Sequence, residues 1–163
     1  MPAPTDPIRQ QVLEALQTKL RAINGNPTYF HTVKSTSVYT DPAVNILTAP
    51  PTEAPLFVIE PTPEGSRFFM PSMRIKNDFQ VTITAVGYAS GPIHTRSRME
   101  AWEQLIADIE VALTRDITLG GIVIDTRVME PTPGFDLGAS PMIIVVQPVV
   151  VKLIRTYGSP WNS

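Results

Sequence analysis

The sequence has 163 residues, of which 43% are hydrophobic and 17% are charged. This length fits one domain with its own core, and the composition is too apolar for a disordered chain. No apolar run reaches the roughly 18 residues that would suggest a membrane span, and residues 1–7 lack the basic and apolar parts of a secretory signal. The absence of cysteine excludes disulfide and thiol chemistry, and the net charge of −2 disfavours binding that depends on neutralising phosphates. We therefore expect residues 1–163 to form a single folded domain.

Charge is unevenly distributed along the chain. Residues 61–98 contain five cations and two acids, a net of +3, whereas residues 99–163 contain eight acids and four cations, a net of −4. One interpretation is ordinary solvated surface. The other is a basic face that meets an acidic face on a neighbouring copy of the chain.

The first predicted element is a helix at about residues 7–23. Asp6 is a suitable N-cap, and Pro7 suits the first helical position because the N–H that it lacks has no partner there. Asn24-Gly25 supplies a C-terminal stop. Apolar residues at helical spacing predict one buried face, and they are Ile8, Val12, Leu13, Leu16, Leu20 and Ile23.

Extended segments and loops are predicted next. Residues 28–40 are rich in Thr, Val and aromatic residues, which favours a strand. Residues 41–55 contain four prolines and predict a loop. The short apolar run at 56–59 predicts a buried strand, and residues 60–65 predict a turn.

Two further strands are predicted at residues 67–75 and 78–88, joined by a turn at Lys76-Asn77-Asp78. In the second strand apolar residues alternate with polar ones, so one face is expected to be buried and the other solvated. The residues of the buried face are Phe79, Val81, Ile83 and Ala85.

The strongest helical pattern covers residues 95–116. Its apolar residues step by three or four and predict a main part of the core. They are Met99, Trp102, Ile106, Ile109 and Leu113. The segment Leu119-Gly120-Gly121 then ends the helical region, and at least one glycine is expected to have a positive φ because the chain reverses there into a strand.

The last part of the chain is predicted to be extended. Residues 122–129 form one run, closed by Pro131, Pro133 and Gly134, and residues 141–157 form a longer one. Pro148 removes a ladder donor from the longer run, which predicts an edge position or a bulge. The order of helix, strands, helix and strands predicts an α+β domain, with a mostly antiparallel sheet packed by two helices and proline-rich loops near 41–55 and 131–141.

The reactive side chains show no catalytic pattern. The two histidines are His31, on a predicted strand, and His94, in a loop, and without cysteine they cannot complete the usual four-ligand zinc site. No GxSxG, GxxxxGK(S/T), GxGxxG or HExxH motif is present. The carboxylates of the second helix, which could in principle hold a metal or transfer protons, are interpreted as a solvated face because no nucleophile accompanies them. They are Glu100, Glu103, Asp108 and Glu110.

These observations predict a protein with no catalytic, cofactor-binding or metal-binding residues. Alanine at His31, His94, Glu100 or Glu103 is accordingly expected to leave folding and function nearly intact. Trp102, at helical spacing, is expected to belong to the core rather than to a ligand site.

A candidate partner surface lies in the first strand of the 67–88 region. Three consecutive large apolar residues on a strand must point to both faces, so either both faces are covered within the chain or one of them meets a partner. Cations flank these residues. The expected subunit or tube interface comprises Arg67, Phe68, Phe69, Met70, Arg74 and Lys76.

Several segments together resemble one known family. They are the first helix with LEALQTKLRAI, the second helix with RMEAWEQLIADIEVALTRD, the LGG turn and the final VVVKLIRTYGSP. In this order they resemble the tail terminator and tail completion proteins of long-tailed (sipho- or myo-type) bacteriophages. The most specific part is Ala112-Leu113 followed by Leu119-Gly120-Gly121, with Tyr157-Gly158 at the end of the last strand. The segments 48–55 and 131–141 are longer than a minimal member would need.

The resemblance implies an α+β fold and a structural role without catalytic residues or cofactors. It implies a hexameric ring at the head-proximal end of the tail, which ends polymerisation of the tail tube and joins the tail to the head. The implied partners are further copies of the chain, the tail tube protein and the head–tail connector or neck proteins, and DNA passes through the ring without specific binding. The implied location is the virion, after assembly in the host cytoplasm.

Two alternatives stay open. One, of the same class, is a neck or head-closure protein or a tube-like phage subunit. The other is a small ligand-binding or hydrolytic domain that uses Asp or Glu and one histidine.

Overall fold

A computed structural model describes residues 7–41, 43–62, 67–70, 74–89, 95–134 and 140–156. Two helices and seven strands follow one another along these residues. They are α1 (Ile8–Arg21), β1 (Val38–Tyr39), β2 (Leu56–Pro61), β3 (Arg67–Met70), β4 (Arg74–Tyr88), α2 (Thr95–Thr114), β5 (Asp125–Val128), β6 (Thr132–Pro133) and β7 (Met142–Thr156).

All seven strands belong to one sheet. In the described residues β1 and β2 run parallel, and the other pairs are antiparallel. Together with the two helices this is the α+β architecture predicted from the sequence, with a mostly antiparallel sheet.

The centre of the sheet is the long ladder between β4 and β7. Arg74 pairs with Thr156 at one end and Tyr88 with Met142 at the other, with no change of register between them. Because β7 occupies one edge of β4 along its whole length, β2 and β3 share the other edge of β4. For the same reason β5 and β6 share the far edge of β7. The strands β3 and β5 therefore lie on opposite sides of the central ladder.

The main core lies between the two helices and one face of the sheet. The predicted alternation in β4 is confirmed, since Phe79, Val81, Ile83 and Ala85 are each at most 1% exposed. The predicted apolar face of α1 is confirmed in the same way, with Leu13 half-buried beside it. Each large apolar side chain that is fully buried contributes roughly 1.5–3 kcal/mol to stability, so this core contributes substantially to the stability of the fold.

A smaller cluster covers part of the other face of the sheet. The loop at 41–55 was predicted from its prolines, and it contains two short 3-10 turns, Ile46–Thr48 and Pro51–Glu53. Ile46 packs on residues of β2, β4 and β7, and the Tyr88 hydroxyl donates to the carbonyl of Ala49 at 3.0 Å. The loop is thereby fixed to the sheet.

The boundaries of α1 differ slightly from the prediction. Pro7 is the N-cap, with an extended ψ of 144°, rather than the first helical residue. Asp6, predicted to cap the helix, lies outside the described residues. The helix ends at Arg21, and the chain turns through Gly25, whose φ is 66°.

The strand predicted at 28–40 is wrong for most of its length. A strand is found at Val38–Tyr39, after a 3-10 turn at Ser35–Ser37. Earlier in the segment, the backbone N–H groups of Phe30 and His31 donate to the side chain of Asp108 instead of to a neighbouring strand. His31 consequently lies in a loop.

The turn predicted at Lys76-Asn77-Asp78 is also wrong. These residues lie within β4, where Lys76 pairs with Phe68 and Asn77 pairs with Arg67 of β3. The connection between β3 and β4 falls at 71–73, which lies outside the described residues. Paired strands on both sides supply partners for this polar stretch, so it continues the sheet.

The buried face of α2 is shifted from the predicted one. Ile106, Ile109 and Leu113 are buried as expected, but Met99 is 60% exposed and Leu105 is fully buried. At 100° per residue, Met99 lies about 80° around the helix from Ile109 and thus at the margin of the stripe that meets the sheet. Trp102 is half-buried against the core.

The extended run predicted at 122–129 is shorter than expected. Turns occupy residues 117–122, and the strand is Asp125–Val128. The predicted loop at 131–141 contains the two-residue strand β6, and its residues 135–139 lie outside the described part.

Pro148 lies in a central strand, so the predicted edge position is wrong. The alternative, a bulge, is found on the side of β5 and β6, where the pairing with β7 shifts by one residue between Val128–Val149 and Thr132–Val146. The pairing of Pro148 with Thr82 of β4 keeps the register. Its carbonyl accepts from Met129 on the side of β5 and β6, at 2.9 Å. The missing N–H points to the same side, where β5 ends and β6 has not begun. The break between these two strands explains why a proline is tolerated there.

Candidate functional site

The turn after α2 is held together by one carboxylate. Asp116 accepts from the Thr118 hydroxyl at 2.7 Å, the Thr118 N–H at 3.1 Å and the Gly120 N–H at 2.7 Å. Lys19, in the last turn of α1, donates to the same carboxylate at 3.1 Å. These bonds tie the end of α1 to the turn and hold the pKa of Asp116 well below its usual range, with the Thr118 hydroxyl as the largest cause and Lys19 as the next.

Three consecutive residues of this turn have positive φ. The values are 50° at Leu119, 74° at Gly120 and 85° at Gly121. The expected positive φ is therefore found at both glycines, and the sequence did not predict it for Leu119. The Leu119 side chain is 2% exposed and belongs to the main core, so burial offsets the backbone strain of a non-glycine residue in this region.

A second carboxylate, which unlike Asp116 is buried, holds α2 and the loop after α1 together as a clasp. Asp108 is 1% exposed, which corrects its assignment to a solvated helix face. It accepts from the N–H of Phe30 at 2.8 Å and from the N–H of His31 at 2.9 Å, and it lies 2.7 Å from the His31 Nδ1 atom. This arrangement satisfies a buried carboxylate with three partners. Asp108 thus holds the loop against α2, and the His31 side chain is one of its hydrogen-bonded partners.

The other residues with possible chemical roles are not brought together. Glu100 and Glu103 are exposed on α2, and His94 lies outside the described residues. Within the described residues, no three side chains of the His, Asp or Glu type meet in a way that could hold a metal ion. No described helix is both long and apolar enough to cross a membrane.

A groove of about 220 Å³ runs between α2 and the segment that joins β5 to β6. Its apolar wall contains Trp102 and Ile106, and the indole N–H of Trp102 donates to the carbonyl of Ile144 at 3.3 Å, which fixes the ring. Three exposed glutamates also line the groove. The complete lining is Trp102, Glu103, Ile106, Ala107, Glu110, Glu130 and Pro131.

This groove was not predicted from the sequence, although one signal for it was present. Glu103 and Glu110 are seven residues apart, which is about two helical turns, so a shared face could be expected. The approach of Glu130 and Pro131 depends on the path of the chain after β5, and no local pattern announces it.

The predicted interface residues lie on the far side of the central ladder from this groove. Arg67, Phe68, Phe69 and Met70 form β3, and Arg74 and Lys76 lie at the start of β4. The register places Phe68 opposite Lys76 and Met70 opposite Arg74. The structure thus brings the six residues into one strand pair, and their role as an interface stays a prediction.

No protein-family model matches the chain, and no curated protein matches it in sequence. Among solved structures it is similar to a chain described as belonging to the virion of a native gene transfer agent particle. The similarity covers 92% of this chain and 99% of that chain, at 11% sequence identity and a TM-score of 0.45.

Proposed function

We propose that this chain is a structural virion protein that forms a ring at the head-proximal end of a phage tail tube. The ring ends polymerisation of the tube and joins the tail to the head. The observation that supports this proposal is the order of α2, the turn at Leu119-Gly120-Gly121 and the long final strand β7. These are the segments whose sequence resembles the tail terminator and tail completion proteins.

The chemistry of the described residues agrees with a role carried by surfaces. The buried carboxylate Asp108 is occupied in holding a loop, and Asp116 is occupied in holding a turn. A hydrolytic domain that used one histidine and a carboxylate would be centred on the His31–Asp108 pair. Because Asp108 already accepts two backbone N–H groups there, we favour the structural role over the hydrolytic one.

In the proposed assembly six copies form the ring. The tail tube protein binds on one side of the ring, and the head–tail connector or neck proteins bind on the other. DNA passes through the ring without specific contacts, as suits a chain with a net charge of −2. No cofactor takes part, and the protein resides in the virion after assembly in the host cytoplasm.

Mixing the purified chain with tail tubes tests the proposal. We expect rings at one end of each tube by negative-stain electron microscopy, and tubes that stop elongating once they are capped. Tubes that grow longer by incorporating the chain would indicate a tube-like subunit instead. Binding to isolated connectors without any effect on tubes would indicate a neck or head-closure protein.

A further inference from the structure

We propose that the groove between α2 and residues 130–131 receives the β3–β4 strand pair of a second copy of this chain. The proposal rests on the proposed ring, since it names the two surfaces through which neighbouring subunits meet. Its basis is the groove lining, the sequence of the strand pair and the positions of both in the sheet.

The groove offers negative charge beside an apolar wall. The carboxylates of Glu103, Glu110 and Glu130 are exposed, and in the described part of the chain none of them has a hydrogen bond or ion pair. Trp102 and Ile106 form the wall, with the Trp102 ring held in place by its bond to the sheet. Such a surface fits a segment that carries both cations and large apolar side chains, because cations pair with carboxylates and also bind the faces of aromatic rings.

The strand pair has this composition. Arg67, Arg74 and Lys76 supply three cations, and Phe68 and Phe69 lie between the first of these and the rest along the chain. The register pairs Phe68 with Lys76 and Met70 with Arg74, which places these four residues on one face of the strand pair, whereas Arg67 pairs with Asn77 on the other face. The chain therefore contains one surface with cations and apolar residues, the strand pair, and a second surface with carboxylates and an apolar wall, the groove.

The positions of the two surfaces set the geometry of the contact. The strand β3 lies on one edge of the β4–β7 ladder, and the groove adjoins the segment between β5 and β6 on the opposite edge. Because the two surfaces lie at opposite edges, a single partner related by two-fold symmetry would have to reach both edges at once to pair each strand pair with a groove. A head-to-tail contact uses one surface from each copy and leaves one of each kind free, which is the contact that builds a closed ring.

Complementary charge reversal tests the proposal. We compare the parent with a groove variant, Glu103→Arg with Glu110→Arg, and with a strand variant, Arg74→Glu with Lys76→Glu, whose two positions share one face of the strand pair. Sedimentation velocity from low micromolar to millimolar concentration at low salt measures self-association. Each variant alone presents like charges at every contact, so we expect its self-association to weaken by about tenfold or more, which is about 1.4 kcal/mol.

An equimolar mixture of the two variants provides the decisive measurement. The strand pair of the groove variant faces the unchanged groove of the strand variant, and the reversed strand pair faces the reversed groove. Association should therefore return in the mixture, as complexes that contain both variants. A matched control, Glu14→Arg with Glu53→Arg, makes the same charge change at exposed sites outside the groove and should associate like the parent.

Three results would overturn the proposal. They are a parent chain that stays monomeric at every concentration, variants that associate as the parent does, and a mixture that associates no better than its components. Circular dichroism melting checks that each variant is folded. Tube capping separates this inference from the proposed function. If all variants cap tubes, the interface is wrong and the proposed function stands. If the mixture associates but the parent does not cap tubes, the interface stands and the proposed function is wrong.

Discussion

The conformation of residues 119–121 makes the turn after α2 sensitive to single side chains. A Cβ atom at Gly120 or Gly121 would meet no other atom within 4 Å, so a substitution there is limited by backbone strain alone. We predict that Gly120→Val and Gly121→Val each lower the free energy of unfolding by about 1 kcal/mol or more. Urea denaturation measures the loss. Asparagine tolerates positive φ, so Gly121→Asn serves as the control and should cost less than Gly121→Val; equal losses would mean that the turn does not depend on φ.

The stability that Asp116 gives to the same turn depends on pH. Because the folded-state pKa of this carboxyl is depressed, its ionised form stabilises the fold at pH values above the unfolded pKa of about 3.9. That contribution is lost as the pH falls below this value. We predict that Asp116→Asn lowers the melting temperature at neutral pH and that the difference from the parent shrinks steadily between about pH 4 and pH 2. A difference that is independent of pH would show that the carboxylate charge is not the stabilising feature.

Among the elements, the attachment of the loop at 30–31 to α2 depends on Asp108. Replacing it with alanine leaves two backbone N–H groups and an imidazole without their partner. We predict a loss of about 3 kcal/mol or more in Asp108→Ala and a smaller loss in Asp108→Asn, which keeps one oxygen acceptor. The control Glu110→Ala removes an exposed carboxylate from the same helix and should change stability by less than about 0.5 kcal/mol. Chemical denaturation of the three variants decides the matter, and equal effects at the two positions would contradict the clasp.

The elements that could be predicted from the sequence are those specified by local periodicity. The helices α1 and α2 and residues 79–85 of β4 show repeats of 3.6 or two residues, and β2 and β7 are runs of apolar and β-branched residues; none of these signals depends on distant parts of the chain. The segment 28–40 could not be predicted, because its backbone bonds to Asp108, which is 77 residues from His31 in the sequence. Pro148 indicated the irregular pairing but could not place β7 within the sheet, because the break between β5 and β6 that accommodates the proline is visible only once the sheet is assembled.

The candidate surfaces, the strand pair at 67–76 and the groove, could be predicted less well than the helices and strands. The cationic and apolar composition of residues 67–76 marks a candidate surface that stays a prediction, and the turn in this segment was placed in the wrong position. The groove depends on Trp102 and Glu110 of α2 meeting Glu130 and Pro131, and that meeting follows from how the chain crosses from β5 to β6. Sequence patterns describe single elements, whereas a groove between two elements is a property of their packing.

For the whole molecule, substitution of the histidines and of Glu100 distinguishes a structural protein from a hydrolytic one. We predict that His94→Ala and Glu100→Ala change the free energy of unfolding by less than about 0.5 kcal/mol and leave tube capping unchanged. His31→Ala removes one bond from a buried carboxylate and should cost about 1–3 kcal/mol, which revises the expectation that its loss is harmless. Capping at saturating protein should nevertheless persist in His31→Ala; loss of capping by a folded variant would revive the hydrolytic alternative.

The place of β7 in the sheet has a consequence for how the protein is made. It is the last described strand along the chain, yet it lies in the middle of the sheet and joins β4 to β5 and β6. During synthesis on the ribosome, one long edge of β4 therefore stays unpaired until residues 142–156 have emerged. Until then β5 and β6 also lack the strand with which they pair. The strands on both sides of the β4–β7 ladder are in place only after β7 has been translated. Contacts with other molecules that require both sides of the sheet must therefore form after that point.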